Sequence, residues 1–292
     1  MSDPIIETLS YFISKIYIYM GSTVIIGGVL GGLANIIIFL SLQIYRSSPS
    51  AFYLIVVSLI NIGQLLSGLL SRVIFNIADI DWSESSYSYC KIRNYLFQFC
   101  AVASPACLCL ATVDQFLATC SRPEWQQRSN TKTAHRLSAI VILIWLLYGL
   151  TYLNYYNLVV STSTGKSTCI ITNSIFSRYY NDFHVPVLMC VIPLLLTILF
   201  GLLAYSNIRQ ISHRTVPLVR RRHEIQLTTM VLVQVVFNIF ATTPCYIVLT
   251  FASHTNLTQD PIASVKIRLA IAITTCLYYL YYAVNTSIHY MI

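Results

Sequence analysis

Charge is what this sequence has least of. Lys, Arg, Asp and Glu make up 10% of its 292 residues, against about 25% in a soluble domain, whose surface must stay wet. So few charges cannot coat a soluble particle of this size. Glycine and cysteine are also sparse, at 10 and 9 residues, which excludes a collagen-like chain and a disulfide scaffold. The 56% hydrophobic content and a mean hydropathy of +0.68 exclude disorder, which goes with few apolar residues and much charge. No H-E-x-x-H, G-x-S-x-G or G-x-x-x-x-G-K-[ST] occurs, so metalloprotease, hydrolase and P-loop chemistry have no carrier. The six histidines (His135, His184, His213, His223, His254, His289) are scattered and form no metal constellation. No enzyme, no metal, no cofactor and no nucleic-acid partner are expected.

Long apolar runs are what the chain does have. A membrane-spanning helix needs about 20 mostly apolar residues. Seven such stretches stand between polar breaks, at about 16–42, 51–77, 95–120, 137–158, 183–207, 227–252 and 265–292. The expected fold is an all-α membrane protein, a single seven-transmembrane-helix bundle in a lipid bilayer.

Basic residues in the short loops give the orientation. With the N-terminus outside, the cytoplasmic side holds ten basic residues and two acids: Arg46, a cluster at Arg122–Arg136, and Arg209, Arg214, Arg220, Arg221 and Arg222, with Glu124 and Glu224. The outer side holds eight basic residues, Lys15, Arg72, Lys91, Arg93, Lys166, Arg178, Lys266 and Arg268, against seven acids. The positive-inside rule therefore favours N-out, C-in. The basic clusters either only set topology against anionic lipid or also face a partner; both readings stand.

Seven cysteines lie in or beside the spans and read as small packing residues. Only Cys90 and Cys169 fall on the oxidising outer side, so a disulfide between them is expected. Asn256-Leu257-Thr258 is a glycosylation sequon in the sixth-to-seventh loop. Polar residues inside the spans usually face the bundle interior. Asn35, Asn61, Gln64, Asn154, Gln234, Asn238 and Asn285 are such residues, serving as glue between helices or as a functional polar core. Gly27, Gly28, Gly31 and Gly32 make two overlapping G-x-x-x-G pairs, which fit close packing within the bundle or a dimer face. Pro105, Pro193 and Pro244 should kink the third, fifth and sixth helices.

Together these features resemble the rhodopsin-like family of G-protein-coupled receptors, over nearly the whole chain. Cys90 opens the third helix, and 24 residues later Asp114-Gln115-Phe116 looks like the family's Asp-Arg-Tyr. Trp145 in the fourth helix, Pro193 and Pro244, Asn35 after the glycines, and Phe52-Tyr53-Leu54-Ile55 followed by Asn61 all match in order and spacing. The resemblance implies a plasma-membrane receptor that binds an extracellular ligand and drives a heterotrimeric G protein. In that reading Asp114, Gln115, Phe116, Glu224, Arg220, Arg221 and Arg222 form the switch and coupling face, and Asn35, Asn61 and Asn285 form the polar core.

The departures are specific. Gln115 replaces the family's arginine, and Glu224, 20 residues before Pro244, stands where its acid partner would be. A Gln115–Glu224 hydrogen bond is expected instead of an ion pair, without its charge attraction. Asn61 offers no carboxylate to sodium, and Thr242 stands where a toggle tryptophan is usual. The seventh span reads Asn285-Thr286-Ser287-Ile288-His289-Tyr290 and ends at Ile292 without Asn-Pro-x-x-Tyr, which reads as a chain clipped at its C-terminus. Amine receptors of the family carry an aspartate where this chain has Phe97, and opsins a mid-helix lysine where it has Tyr278, Tyr279, Tyr281 and Tyr282. A pocket lined by Phe97, Phe99, Tyr246 and Tyr278 is expected, for a peptide or lipid-like ligand. The competing readings are a seven-helix transporter, which the lack of mid-depth charge disfavours, and a receptor-like protein that does not signal.

Overall fold

The computed structural model describes residues 4–42, 48–78, 86–160, 167–211, 218–255 and 261–284, without the side chains of 210, 211, 218–224 and 227. Seven helices in it are long and apolar enough to cross a membrane: Pro4–Ser41, Pro49–Ala78, Tyr87–Thr119, Thr131–Tyr155, Ser174–Arg209, Thr228–His254 and Pro261–Val284. They are called the first to seventh helices below. Helices are the natural outcome, because in hydrocarbon every backbone N–H and C=O must be satisfied within the chain. Their starts are chemically marked. Pro49 opens the second helix, where a missing N–H costs nothing. The Asn130 side chain accepts the Thr133 N–H at 2.8 Å, and that of Asn173 accepts the Phe176 N–H at 2.9 Å.

Three elements depart from the expected outline. The first helix begins at Pro4, well ahead of residue 16; its opening stretch to Ile16 buries no residue. The fourth helix stops at Tyr155, and β1 (Tyr156–Val160) pairs antiparallel with β2 (Ser167–Ile171). A hairpin of β-branched residues thus interrupts the otherwise all-helical fold. Third, the second and fifth helices, like the first, contain wide turns with π geometry: Tyr17–Gly21, Leu65–Leu69 and Tyr180–Val191. The last encloses Pro186, whose ring cannot sit against the carbonyl four residues back in a regular turn. In the fifth helix the irregular segment therefore surrounds Pro186, and Pro193 is the second residue of the regular helix that follows. Pro105 and Pro244 lie inside the third and sixth helices.

The core is aromatic. Tyr279, Tyr281 and Tyr282 are almost wholly buried with Leu65, Leu69, Leu108 and Val24. The first-helix glycines divide by face. Gly28 and Gly32 are buried, and a Cβ on Gly28 would meet Leu65 and stand 3.1 Å from the Ala283 Cα. A Cβ on Gly27 would meet nothing within 4 Å. Gly28 therefore serves close packing of the first helix on the second and seventh. Gly28→Val should destabilise the bundle by about 1–3 kcal/mol through overpacking, whereas Gly27→Ala should change stability by less than about 0.5 kcal/mol or improve it. Thermal melting of the two variants in the same detergent checks this.

Candidate functional site

The bundle has two chemically distinct ends. At one, the Cys90–Cys169 disulfide ties β2 to the start of the third helix. The Asn94 amide also donates to the Cys169 sulfur at 3.1 Å, and the Tyr87 hydroxyl to Asn157 Oδ1 at 3.4 Å. Beneath the hairpin lie two cavities. The larger, about 390 Å³, is walled by Tyr17, Arg72, Asn76, Arg93, Asn94 and Thr168, among others. The smaller, about 60 Å³, is lined by Phe97, Met189, Tyr246 and Tyr278, and again by Arg72. Phe97, Tyr246 and Tyr278 are thus brought together as expected, with the Tyr246 and Tyr278 rings 5.9 Å apart, edge to face. Phe99 is not: it packs against the Val57, Cys100 and Cys107 cluster, because two residues further along a helix point elsewhere. The Tyr278 hydroxyl lies 2.8 Å from that of Tyr282 and accepts from Gln64 Nε2 at 3.2 Å.

At the opposite end the third helix is fastened on three sides. The Asp114 carboxylate accepts from Ser50 of the second helix and, at 2.8 Å, from Ser129 of the following loop. Gln115 Oε1 accepts from the Thr228 hydroxyl of the sixth helix at 2.5 Å. Thr119 donates to the Gln115 carbonyl at 2.7 Å and accepts from Asn207 Nδ2 of the fifth helix at 3.5 Å. The Phe116 ring packs 5.7 Å from that of Phe200 on the fifth helix and 6.1 Å from that of Trp125. This bond from the third helix to the sixth is made by neutral groups. The side chains of Glu224, Arg220, Arg221 and Arg222 lie outside the described residues.

A sequence model described as 7 transmembrane receptor (rhodopsin family) matches residues 34–288. The chain belongs to that family. No curated protein sequence gives a significant match. As a rhodopsin-family member, the chain has in the Cys90–Cys169 bond the tie between third helix and loop that its cysteine positions anticipate.

The polar core is divided. Asn35 and Asn61 are completely buried, and Asn61 Oδ1 accepts from Ser104 at 2.5 Å. Asn285 and the sequon residue Asn256 lie outside the described residues. A second polar cluster has no forerunner in the sequence reading. His184, completely buried, has Nδ1 at 2.8 Å from the Tyr148 hydroxyl and Nε2 at 3.3 Å from Gln98 Oε1. Because Gln98 Nε2 donates to Tyr180 at 2.9 Å, its Oε1 is an acceptor. His184 must therefore donate through Nε2 and accept from Tyr148 through Nδ1. The cluster joins the third, fourth and fifth helices. Gln98→Leu leaves the imidazole N–H without its acceptor, and should cost about 1–3 kcal/mol of stability; a melting comparison with Gln98→Glu, which keeps an acceptor, checks it. Arg72 was counted with the outer loops, yet it sits six residues inside the end of the second helix, with its Nε buried.

Proposed function

We propose that this family member is a plasma-membrane receptor, N-out and C-in, in which the disulfide-tied cavities take an extracellular peptide or lipid-like ligand. The Asp114 end then faces the cytoplasm and a heterotrimeric G protein, bordered by Arg209, Arg214, Arg220, Arg221 and Arg222. The observation that carries the reading is the Gln115–Thr228 bond. It ties the third helix to the sixth at the end opposite the cavities. Ligand binding acts by population shift: it favours a state in which the sixth helix leaves the third and a groove opens for the partner. Gln115 and Thr228 form the latch of the closed state, and Asp114 holds the third helix to its other neighbours through Ser50 and Ser129. Tyr278, hydrogen-bonded to Gln64 and to Tyr282, lies between the smaller cavity and the buried core and so couples the two ends. Asn35 and Asn61 belong to that core.

The test is nucleotide exchange on a panel of purified heterotrimers, with the full chain in nanodiscs, native and as Thr228→Val. The expected result is exchange above empty nanodiscs for at least one heterotrimer, and faster exchange for the variant. No exchange with either chain defeats the reading; solute flux in proteoliposomes would then mark a transporter. Orientation is read separately, since N-out predicts that Asn256 is glycosylated in cells and that removing the glycan lowers the apparent mass.

A further inference from the structure

We infer that the larger cavity is a site for an anionic group, carboxylate or phosphate, carried on an apolar ligand. The inference deepens the receptor reading above by giving its ligand a charge. The cavity is walled by Arg72, Arg93, Asn76 and Asn94, among others; the Asn76 and Asn94 amides already donate to the Arg72 and Cys90 carbonyls at 2.8 Å, which leaves Arg72 as the cation that the site rests on. The Arg72 guanidinium stands 5.9 Å from the centroid of the Tyr17 ring. One of its terminal nitrogens donates to the Tyr17 hydroxyl at a long 3.4 Å, and its buried Nε has no partner among the described residues. Among the described residues no carboxylate pairs with it; the ion pair found there is that of His254 with Asp182, elsewhere. A guanidinium recessed among helices without a counter-ion is costly, and low-dielectric walls focus its field on the cavity. An anion entering there gains charge-assisted, fork-shaped hydrogen bonds.

The volume fits. At about 390 Å³, the cavity reaches the lower range of small-molecule sites, about 300–1,000 Å³. Arg72 also lines the smaller aromatic cavity of Phe97, Met189, Tyr246 and Tyr278. One ligand can therefore set its acid on Arg72 and extend an apolar portion between the tyrosines. The Arg93 Nε donates to the Ser67 carbonyl at 3.2 Å, which aims that side chain across the second helix rather than away from it.

The experiment is thermal melting of the full chain in phosphatidylcholine nanodiscs, followed with a thiol-reactive dye that reports the buried Cys100, Cys107, Cys109, Cys245 and Cys276 as they become exposed. The probes are dodecanoate and dodecyl phosphate, each against dodecanol, and a hydrophobic tripeptide as free acid against its amide. These pairs separate a lipid acid from a peptide C-terminus. At saturation at least one acid should raise Tm by about 5 °C more than its neutral counterpart. Arg72→Gln should weaken acid binding about 10–100-fold, and Arg72→Lys should weaken it less.

Equal shifts from acid and neutral partner overturn the proposal, as does an acid gain that survives Arg72→Gln. Folding of the variant is judged without ligand. Among the described residues no carboxylate neutralises Arg72, and the Tyr17 contacts that the variant loses are long, so Arg72→Gln should melt about as high as the native chain. A lower melt that disappears when Asp79→Asn, Asp81→Asn and Glu84→Gln are already present identifies an internal counter-ion and also overturns the site. Nucleotide exchange keeps the two readings apart: acid binding through Arg72 with no exchange on any heterotrimer retains the site and removes the receptor function, and the converse pair of results does the reverse.

Discussion

Gln115→Arg is expected to raise nucleotide exchange in the absence of ligand. Gln115 Oε1 now accepts the Thr228 hydroxyl at 2.5 Å. Arginine offers donors but no acceptor, so that bond cannot form in its present sense. Thr228 would have to turn and accept, and a guanidinium would sit at a position that is almost fully buried. Asp114 gives it one potential partner, already occupied by Ser50 and Ser129. Burying a charge without full pairing is costly, and opening the sixth helix hydrates it. Losing a buried hydrogen bond alone is worth about 1–3 kcal/mol, which moves an open-to-closed ratio about 5–150-fold. Gln115→Leu separates the two contributions, because it removes the acceptor without adding charge. Exchange on purified heterotrimers should rank Gln115→Arg above Gln115→Leu, and both above the native chain.

Breaking the disulfide should have the second large effect, at the other end. Cys169 and Thr168 of β2 form part of the wall of the 390 Å³ cavity. Apart from the Cys90–Cys169 bond, two side-chain hydrogen bonds tie the hairpin to the third helix: one at 3.1 Å to the Cys169 sulfur, a weak acceptor, and one at a long 3.4 Å to Asn157. Cys90→Ser with Cys169→Ser frees a segment closed over a separation of 79 residues. A ligand that needs this wall in place must then order the segment as it binds, which should weaken its affinity at least about 10-fold. Binding of the acid probes measures it. Unchanged affinity in the double variant would show that β2 takes no part in the site.

The bundle was legible because hydropathy over about 20 residues reports a span whatever its neighbours are. Cys90 and Cys169 were legible because the remaining cysteines fall in or beside spans. The position of Asp114-Gln115-Phe116 was legible from its spacing to Cys90, but its partners were not. Ser50, Ser129 and Thr228 are common residue types, and only the packed helices bring them to Asp114 and Gln115. The Glu224 expectation came from spacing to Pro244, and its side chain lies outside the described residues; Thr228, one turn further along the same helix, meets Gln115 Oε1. His184, Gln98 and Tyr148 were missed because each is a lone polar residue on its own helix, and their meeting is a tertiary event. Arg72 was misplaced by counting charge as loop. Its signal was present: Leu69, Leu70, Val73 and Ile74 flank it, as they would a residue still inside a helix. The hairpin carried a weak signal in the β-branched residues of Val159-Val160 and Ile170-Ile171, which the length of the loop obscured.

The latch between the third and sixth helices is the center of this account, and a distance reads it directly. Spin labels placed at Gln127→Cys and Gln226→Cys, both exposed, in a background with the half-buried Cys120 and Cys190 replaced by serine, report the separation of the segment after the third helix from the sixth helix by pulsed dipolar spectroscopy. The native chain should show one dominant short distance, with a longer-distance population that grows in Gln115→Leu and again in Gln115→Arg. Identical distance distributions in all three would contradict it, because the Gln115–Thr228 bond would then hold nothing closed.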